Sequence, residues 1–399
     1  MRPGSSPSRP SASCPPEPLA ALARHQRRGR RLAQALPAPA LRTQYHPELS
    51  PIAWHLGHTA LFERYWVDEV VLGAEPDPAL HGLYFPELSE KARRAARVPE
   101  REPLLAWCGA VHRRTRTLLA DPPPALAGHG LMARRYLVHF LEQHYAQHHE
   151  TVRWVLAART AAEAVADAPR SAAPAPAAPR PEEAVGLAAG AYRIGCDDVR
   201  AYDNESPAHT VRLGPVRLAR RPATNAEWLA FMHAGGYEEP SLWDEAGWRW
   251  RRRHGVVHPA TWACHPGGRY TWLGPEGPQP LAPQAPVTGI SHHEAQAFSR
   301  WAGARLPTEP EWEAACRGGL LDGVGGAWEW TATPLHPYPG FQAFPYAGYS
   351  VPWFDGGHWV ARGASPLTEP SVRRPSFRNF FEAHVRHCFA GVRLAWEGG

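Results

Sequence analysis

The feature that most constrains the fold is a run of alternating alanine and proline in the middle of the chain. It reads APRSAAPAPAAPRPEE and covers residues 168–183. Because proline has a fixed φ and no backbone N–H, such a run cannot continue a helix and is typical of a semi-rigid linker. A chain of 399 residues is also longer than one usual domain. We therefore expect a disordered tail over residues 1–18 and two domains, which a linker over residues 161–185 joins.

The segment before the linker, residues 19–160, predicts a four-helix bundle. Its helical stretches cover residues 19–36, a second helix that opens in SPIAWHLGH, residues 103–120 and residues 129–158. Ser50 is placed to cap the second helix, and Pro51 suits its first position. The proline run after Asp121 ends the third helix. Four helices with short connections are typical of a bundle.

The segment after the linker, residues 186–397, is rich in glycine, proline and tryptophan. Two runs, HTVRLGPVRLA and WVARGAS, have the character of strands. Helices are predicted in TNAEWLAFMHAGG and in SHHEAQAFSRWAGARLPTEPEWEAAC, where Ser291 with Glu294 and Thr308 with Glu311 have the capping-box spacing. This half therefore predicts an irregular α+β domain with many loops.

The composition argues against a nucleic-acid or membrane partner. The formal net charge is +5, but Lys91 is the only lysine and the arginines are scattered through both halves. A phosphate-binding surface would concentrate them in one stripe. No window approaches 18 consecutive apolar residues, no signal peptide is visible, and the six cysteines form no CxxC pair. We expect a cytoplasmic protein in a reducing compartment.

Histidines on two predicted helices give the strongest indication of a site. In HYAQHHET, His144 and His148 are four residues apart and share a helix face with apolar residues. His58 lies in the apolar stripe of the second helix, and His55 lies nearer the edge of that face. Imidazoles in a core are costly without partners, and a metal ion supplies one. Three imidazoles would leave open positions, as a catalytic metal requires; a hydrogen-bonded histidine pair is the alternative.

The neighbouring residues leave two interpretations open. His149 and Glu150 fall on other faces of the same helix. Glu150 either orients a ligand imidazole from behind or is simply solvated. Histidine ligands by themselves do not distinguish iron from zinc.

These motifs together resemble the ergothioneine-biosynthetic sulfoxide synthases, in which a DinB-like helical bundle precedes a C-type-lectin-like, formylglycine-generating-enzyme-like domain. SPIAWHLGH and HYAQHHET resemble the iron site of that family. The second half carries, in the family's order, YDNESPAHTV, RRPATNAEWLAFMHAGGY, PVTGISHHEAQAFSRWAGARLPTEPEWEAA, WEWT, RGAS and FRNFFEAHVRHCFAGVRLA. The resemblance covers about residues 40–396. It implies an α + (α+β) fold and a nonheme Fe(2+) enzyme that uses O2 to join a cysteine-type thiol to C2 of hercynine.

The resemblance also implies roles for individual residues. His58, His144 and His148 match the three iron ligands, and Gln147 and Asn379 match positions that contact hercynine.

Other matches concern the sulfur donor and the proton donor. Arg94 and Arg97 lie where arginines hold the carboxylates of the donor. The family implies a tyrosine that donates a proton and steers the reaction away from thiol dioxygenation. Tyr346 and Tyr349 are the candidates, and spacing does not choose between them or exclude ordinary packing for both.

Departures from the family pattern fall around the donor pocket. Phe380 and Phe381 stand where some members carry Trp-Asp, whose acid helps to hold γ-glutamylcysteine. Free cysteine therefore becomes plausible as the donor. The related selenoneine synthases, which take a selenosugar donor, are the alternative.

Two further hypotheses come from the separate domains. Formylglycine generation needs a pair of nearby cysteines, whereas the C-terminal segment carries Cys388 with Cys316 far upstream. A non-catalytic metal-binding scaffold is the remaining alternative. In that case a fourth protein ligand would close the metal site.

Overall fold

The computed structural model describes residues 17–163 and 183–398. The predicted tail lies outside the described residues up to position 16, and residues 164–182 of the predicted linker lie outside them too. At the edges of the gap, a helix ends at Glu163 and a strand begins at Ala184.

The first described segment is helical. Its helices are α1 (Pro18–Ala35), α2 (Ala38–Arg42), α3 (Ile52–Arg64), α4 (Pro78–Tyr84), α5 (Arg94–Arg97), α6 (Arg101–Ala120), α7 (Pro124–Ala127) and α8 (Tyr136–Glu163). The four long helices pack together, with α1 and α3 each against both α6 and α8. This arrangement confirms the predicted four-helix bundle. No helix among the described residues has the length and apolar character needed to cross a membrane.

The second bundle helix differs from its prediction at both ends. Its N-cap is Pro51, so the assignment of the cap to Ser50 was wrong; the Ser50 hydroxyl instead accepts a hydrogen bond from Arg94 at 2.6 Å. At its C-terminal end α3 continues directly into a π-helical segment, Tyr65–Val71. Asp68 of this segment is still buried, because Arg114 donates to its carboxylate at 2.8 Å.

The second described segment contains twelve strands. They are β1 (Ala184–Leu187), β2 (Gly190–Ile194), β3 (His209–Leu213), β4 (Val216–Ala219), β5 (Trp262–His265), β6 (Arg269–Gly274), β7 (Gly277–Pro280), β8 (Ala327–Pro334), β9 (His358–Ala364), β10 (Asn379–Glu382), β11 (Ala390–Val392) and β12 (Ala395–Glu397). They form a four-stranded sheet of order β10-β9-β8-β11, two three-stranded sheets, β1-β4-β12 and β5-β6-β7, and the pair β2-β3. Both runs predicted as strands are strands.

Four helices lie between these strands, where the sequence predicted two helical regions. They are α9 (Asn225–His233), α10 (Glu245–His254), α11 (His292–Trp301) and α12 (Glu309–Arg317). The capping boxes at Ser291 and Thr308 form as predicted. The helix α10 was missed because Asp244 caps it without a following capping-box glutamate. Together these elements confirm the α + (α+β) fold class.

A buried carboxylate on α8 fastens the bundle to the second domain. Glu150 accepts hydrogen bonds from Trp328 Nε1 at 2.8 Å, Ser365 Oγ at 2.5 Å and Thr368 Oγ1 at 2.6 Å. Burial raises the pKa of Glu150 above its ordinary value, although the three donors oppose that rise. Glu150 is therefore neither solvated nor bonded to an imidazole, and both sequence interpretations of it were wrong.

Replacing Glu150 with alanine is expected to destabilise the protein by about 3 kcal/mol or more. The change would leave three buried donors without an acceptor, and each costs roughly 1–3 kcal/mol. Urea denaturation of the full chain measures the loss. The matched control is Glu163→Ala at the exposed end of the same helix, where a surface change costs within about 0.5 kcal/mol. Equal losses in the two variants would contradict the role of Glu150.

Candidate metal centre and adjoining cavity

Three histidines converge between α3 and α8. His58 Nε2 and His144 Nε2 lie 3.1 Å apart. One ring nitrogen from each of His58, His144 and His148 lies within 4.8 Å of the other two. Two nitrogens bound to one ion at about 2.1 Å are roughly 3.0–3.4 Å apart, depending on the coordination angle. The three rings therefore fit a single metal ion.

Neighbouring groups set the orientation of two of these rings. His58 Nδ1 lies 2.7 Å from the Tyr84 carbonyl oxygen, which can only accept, so Nδ1 carries the proton and Nε2 keeps its lone pair. The His58 ring stacks on Trp54 with 4.7 Å between centroids. The His144 ring stacks on Phe62 at 3.7 Å. Both ligand nitrogens thus face the same point.

Burial keeps the site neutral. It lowers the pKa of His58 to about 4, and the hydrogen bond to the Tyr84 carbonyl only partly opposes this shift. Burial also holds the pKa values of His144 and His148 well below their ordinary range, with mutual repulsion among the imidazoles as a further cause. Near neutral pH all three rings therefore carry a free lone pair, which metal binding requires. His144 Nδ1 is buried without a hydrogen-bond partner among the described residues.

His55 is a functional candidate that the sequence placed only at the edge of its helix face. Its ring is buried, and its Nδ1 lies 3.0 Å from Nδ1 of His148. When His148 Nδ1 donates to His55 Nδ1, Nε2 of His148 keeps its lone pair for an ion. The only sequence feature that pointed to a role for His55 was its position three residues before His58, on the same side of α3. His55 is therefore placed to orient the His148 ring from behind, as the hydrogen-bond partner of a metal-binding imidazole does.

Replacing His55 with phenylalanine is expected to weaken metal binding by about 10–100-fold, the usual cost of losing the partner of a ligand imidazole. The aromatic ring preserves most of the packing volume. Competition titration of Fe(2+) against a chelator measures the change. The control is His112→Phe, which removes another buried imidazole, one that bonds Tyr145. Unchanged affinity in His55→Phe would show that His148 needs no support.

A cavity of about 280 Å³ lies between the bundle and the second domain. Six residues that the resemblance singled out line it: Gln147, Tyr346, Tyr349, Asn379, Phe380 and Phe381. Gln147 lies on α8 between His144 and His148, so the cavity wall and the candidate metal centre share one helical turn. The fold thus gathers residues that are more than 200 positions apart in the chain.

Gln147 connects the cavity wall to two tyrosines. Its Nε2 donates to the Tyr202 hydroxyl at 2.6 Å, and its Oε1 accepts from the Tyr349 hydroxyl at 3.2 Å. The rings of Tyr202 and Tyr349 stack 4.2 Å apart. Tyr202, which sequence analysis did not single out, therefore holds both Gln147 and Tyr349 in place.

Tyr346 has a different environment. It is 36% exposed, and its ring packs against Trp66 and Phe140. Tyr349, by contrast, is hydrogen-bonded within the cavity wall. Burial raises the pKa of both hydroxyls above the ordinary value, so the pKa does not distinguish them. Their surroundings nevertheless distinguish two residues that spacing could not.

The remaining predicted residues divide between the cavity and the bundle. Asn379 begins β10, where its side-chain oxygen accepts from the backbone of Phe380. Arg94 and Arg97 do not line the cavity. Arg94 is buried over the Trp54 ring at 3.9 Å and donates to the carbonyl of Ser89, whereas Arg97 is exposed. The role of these two arginines in holding donor carboxylates stays a prediction.

Comparisons with known proteins agree with this architecture. The DinB superfamily profile matches residues 21–152, and the profile of the sulfatase-modifying factor enzyme 1-like domain matches residues 170–323 and 318–398. A hercynine oxygenase of Mycobacterium tuberculosis is 34% identical over 96% of this chain and 99% of its own length. A hercynine oxygenase of Mycolicibacterium smegmatis is 32% identical over 90% of this chain and 93% of its own.

A shorter similarity concerns the second domain. A formylglycine-generating enzyme of Thermomonospora curvata is 37% identical, but only over 34% of this chain and 49% of its own length. The likeness to the hercynine oxygenases extends instead across both domains. The chain is therefore an oxidoreductase that belongs to the hercynine oxygenase family.

Proposed function

We propose that the protein is an Fe(2+)- and O2-dependent enzyme that joins a cysteine-type sulfur to C2 of hercynine. The observation that carries this proposal is the convergence of His58, His144 and His148 on one point, with Gln147 of the same helical turn lining the cavity. Three imidazole ligands leave positions open on a six-coordinate ion, which suits substrate and oxygen binding. The relatives that match most of this chain are hercynine oxygenases, which supports hercynine as the substrate.

The bundle residues hold the ion, and the cavity residues hold the substrates. Bound Fe(2+) would supply the redox chemistry that O2 requires, while His58, His144 and His148 keep it in place. Gln147 and Asn379 offer amide groups for hercynine. The aromatic rings of Trp353 and Phe380 also line the cavity and suit a trimethylammonium group, which binds aromatic faces by cation–π attraction. Fixing both substrates in one cavity lowers the entropic cost of their reaction.

We assign the proton-donating role to Tyr349 rather than Tyr346. Burial raises the pKa of both tyrosines, but of the two it is Tyr349 that donates a hydrogen bond to Gln147, the residue proposed to bind hercynine. The stacked Tyr202 ring restricts its rotation. A proton donor must lie within hydrogen-bond reach of the reacting groups. The Tyr349 hydroxyl, which lies in the cavity wall next to Gln147, has a suitable position for this role.

The lining of the cavity also favours a second candidate for the donor. Among the described residues that line it there is no arginine or lysine, and its one carboxylate, Glu150, already accepts three hydrogen bonds. Phe381 adds a further apolar surface. Such a wall suits an uncharged donor better than one with several carboxylates, so carbon–selenium bond formation with a selenosugar is the alternative.

Incubation of the Fe(2+)-loaded full chain with hercynine and O2 tests these possibilities. Cysteine, γ-glutamylcysteine and a selenosugar are supplied in separate reactions, and mass spectrometry identifies the product. Sulfur transfer consumes one O2 and forms a sulfoxide and water. We expect conversion with cysteine or the selenosugar, and slower conversion with γ-glutamylcysteine. Metal binding without consumption of hercynine in any reaction would contradict the proposal and favour a non-catalytic scaffold.

A further inference from the structure

A second group of metal-ligating side chains lies between α1, α8 and the second domain. It consists of His25 on α1, His149 on α8 and Glu369, which follows β9. One ligand atom from each of these residues lies within 4.8 Å of the other two. The elements that carry them are far apart in the sequence, so only the packing of both domains creates the group.

The distances suit one tetrahedral ion. Nδ1 of His25 lies 3.1 Å from Nδ1 of His149, and Nδ1 of His149 lies 4.0 Å from Oε1 of Glu369. Two ligand atoms at about 2.05 Å from a tetrahedral zinc ion are roughly 3.3 Å apart. The 3.1 Å pair is already close to this value, and the 4.0 Å pair must close by roughly 0.7 Å to reach it.

A second carboxylate prepares His25 as a ligand. His25 Nε2 lies 2.8 Å from Oε1 of Glu142, and both side chains are buried. A carboxylate at this distance places the ring proton on Nε2, which leaves the Nδ1 lone pair directed toward His149. This carboxylate–histidine pair is the usual support of a metal-binding imidazole.

The two carboxylates of the group suit a divalent cation, although seven arginines, Arg28 among them, line the adjoining cleft. Glu142 and Glu369 together offer two negative charges, which match the charge of one such ion. Arg28 forms an ion pair with Glu369. Arg28 bonds Oε1, the oxygen that lies nearest His149 Nδ1, and a carboxylate oxygen has about two lone-pair sites, so Oε1 can accept from Arg28 and bind an ion at the same time. The Arg28 side chain is 52% exposed, and solvent screens its repulsion of the ion.

The group opens on one side. His25, Glu142 and Glu369 line a cleft of about 1160 Å³ between the bundle and the second domain. Water from this cleft can reach a fourth coordination position. Two imidazoles and one carboxylate with an open fourth position form a ligand set that zinc accepts.

A third cluster, formed by His46, Glu48 and His387, provides a contrast. The backbone N–H of Glu48 donates to His46 Nδ1 at 3.2 Å, so the proton of this ring lies on Nε2. The Glu48 carboxylate also accepts from His384 at 2.9 Å and lies 3.0 Å from His387 Nδ1. This cluster shares no residue with the group formed by His25, His149 and Glu369, and it serves as the control.

We propose that His25, His149 and Glu369 form a second divalent-metal site, which takes a zinc-like ion and fastens α1 and α8 to the second domain. This site is separate from the three-histidine centre, and its existence does not depend on the reaction proposed above.

Titration of the metal-free full chain with Co(2+) tests the proposal, because tetrahedral Co(2+) gives a visible absorption band. We expect His25→Ala and Glu369→Gln each to bind one equivalent of Co(2+) fewer than the unaltered protein. His58→Ala is expected to retain the equivalent that these two variants lose. Glu142→Gln is expected to keep that equivalent but to bind it about 10–100-fold more weakly. His46→Ala, the matched control, is expected to bind as the unaltered protein does.

The variants distinguish the two sites. The second site is supported if one equivalent of Co(2+) is lost in both His25→Ala and Glu369→Gln but retained in His58→Ala. This result would support it even if the three-histidine centre stays empty. Glu369→Gln preserves side-chain size near the surface, so it remains informative if His25→Ala fails to fold. Equal binding by the unaltered protein, His25→Ala and Glu369→Gln overturns the proposal, as does loss of the equivalent in His46→Ala.

Discussion

Replacing His144 with alanine is expected to remove the metal ion and to lower hercynine turnover by at least about 10³-fold. Loss of a residue that only orients a ligand already costs about 10–100-fold, and His144 is itself a proposed ligand, 3.1 Å from the next one. The remaining pair, His58 and His148, would leave the ion with too few protein ligands. Metal content of the purified variant and its rate of hercynine consumption measure the two effects.

A matched histidine on the same helix serves as the control. His139 lies on α8 but outside the three-histidine centre. His139→Ala is expected to keep full metal content and activity within about threefold, because surface substitutions away from a site change little. If His144→Ala retained bound iron and activity, the three-histidine centre would not be the site of the reaction.

Replacing Tyr349 with phenylalanine is expected to lower kcat by about 10²-fold or more, the usual contribution of a positioned proton donor. The aromatic stack with Tyr202 persists in the variant, because only the hydroxyl is lost. The lost hydrogen bond to Gln147 is expected to raise KM for hercynine less than about tenfold. Steady-state kinetics with product analysis separates the two effects. Simple oxidation of the thiol is expected to increase among the products.

The companion variant is Tyr346→Phe. Because Tyr346 is partly exposed and packs on Trp66 and Phe140, removal of its hydroxyl is expected to change kcat less than tenfold. A large fall in kcat for Tyr346→Phe, with little change for Tyr349→Phe, would exchange the two roles. An increase in KM alone for Tyr349→Phe would show that this residue only positions Gln147.

Several elements were predictable because their signals are local. The capping boxes that begin α11 and α12 each lie within four residues, and both form as predicted. The spacing of His144 and His148 likewise places them on one face of any helix. The run HTVRLGPVRLA, which has the character of a strand, forms β3 and β4.

Other features depended on partners that no local pattern reveals. Glu150 looked solvated or metal-related because its partners, Trp328, Ser365 and Thr368, lie 178 to 218 positions further along the chain. His55 lies near the edge of the apolar stripe on its helix, yet α8 brings His148 against it. Helical periodicity describes the faces of a helix but not what covers them.

The chain's own pattern was sufficient for the two-domain division, the four long helices and the pairing of His144 with His148, since each depends on backbone preferences over a few turns. Packing of α3 against α8 decided that His58 joins that pair. Docking of the second domain decided that Tyr349 and Asn379 share a cavity wall with Gln147. These contacts join residues distant in the chain, and only burial of both domains against each other compensates for the entropy lost in bringing them together.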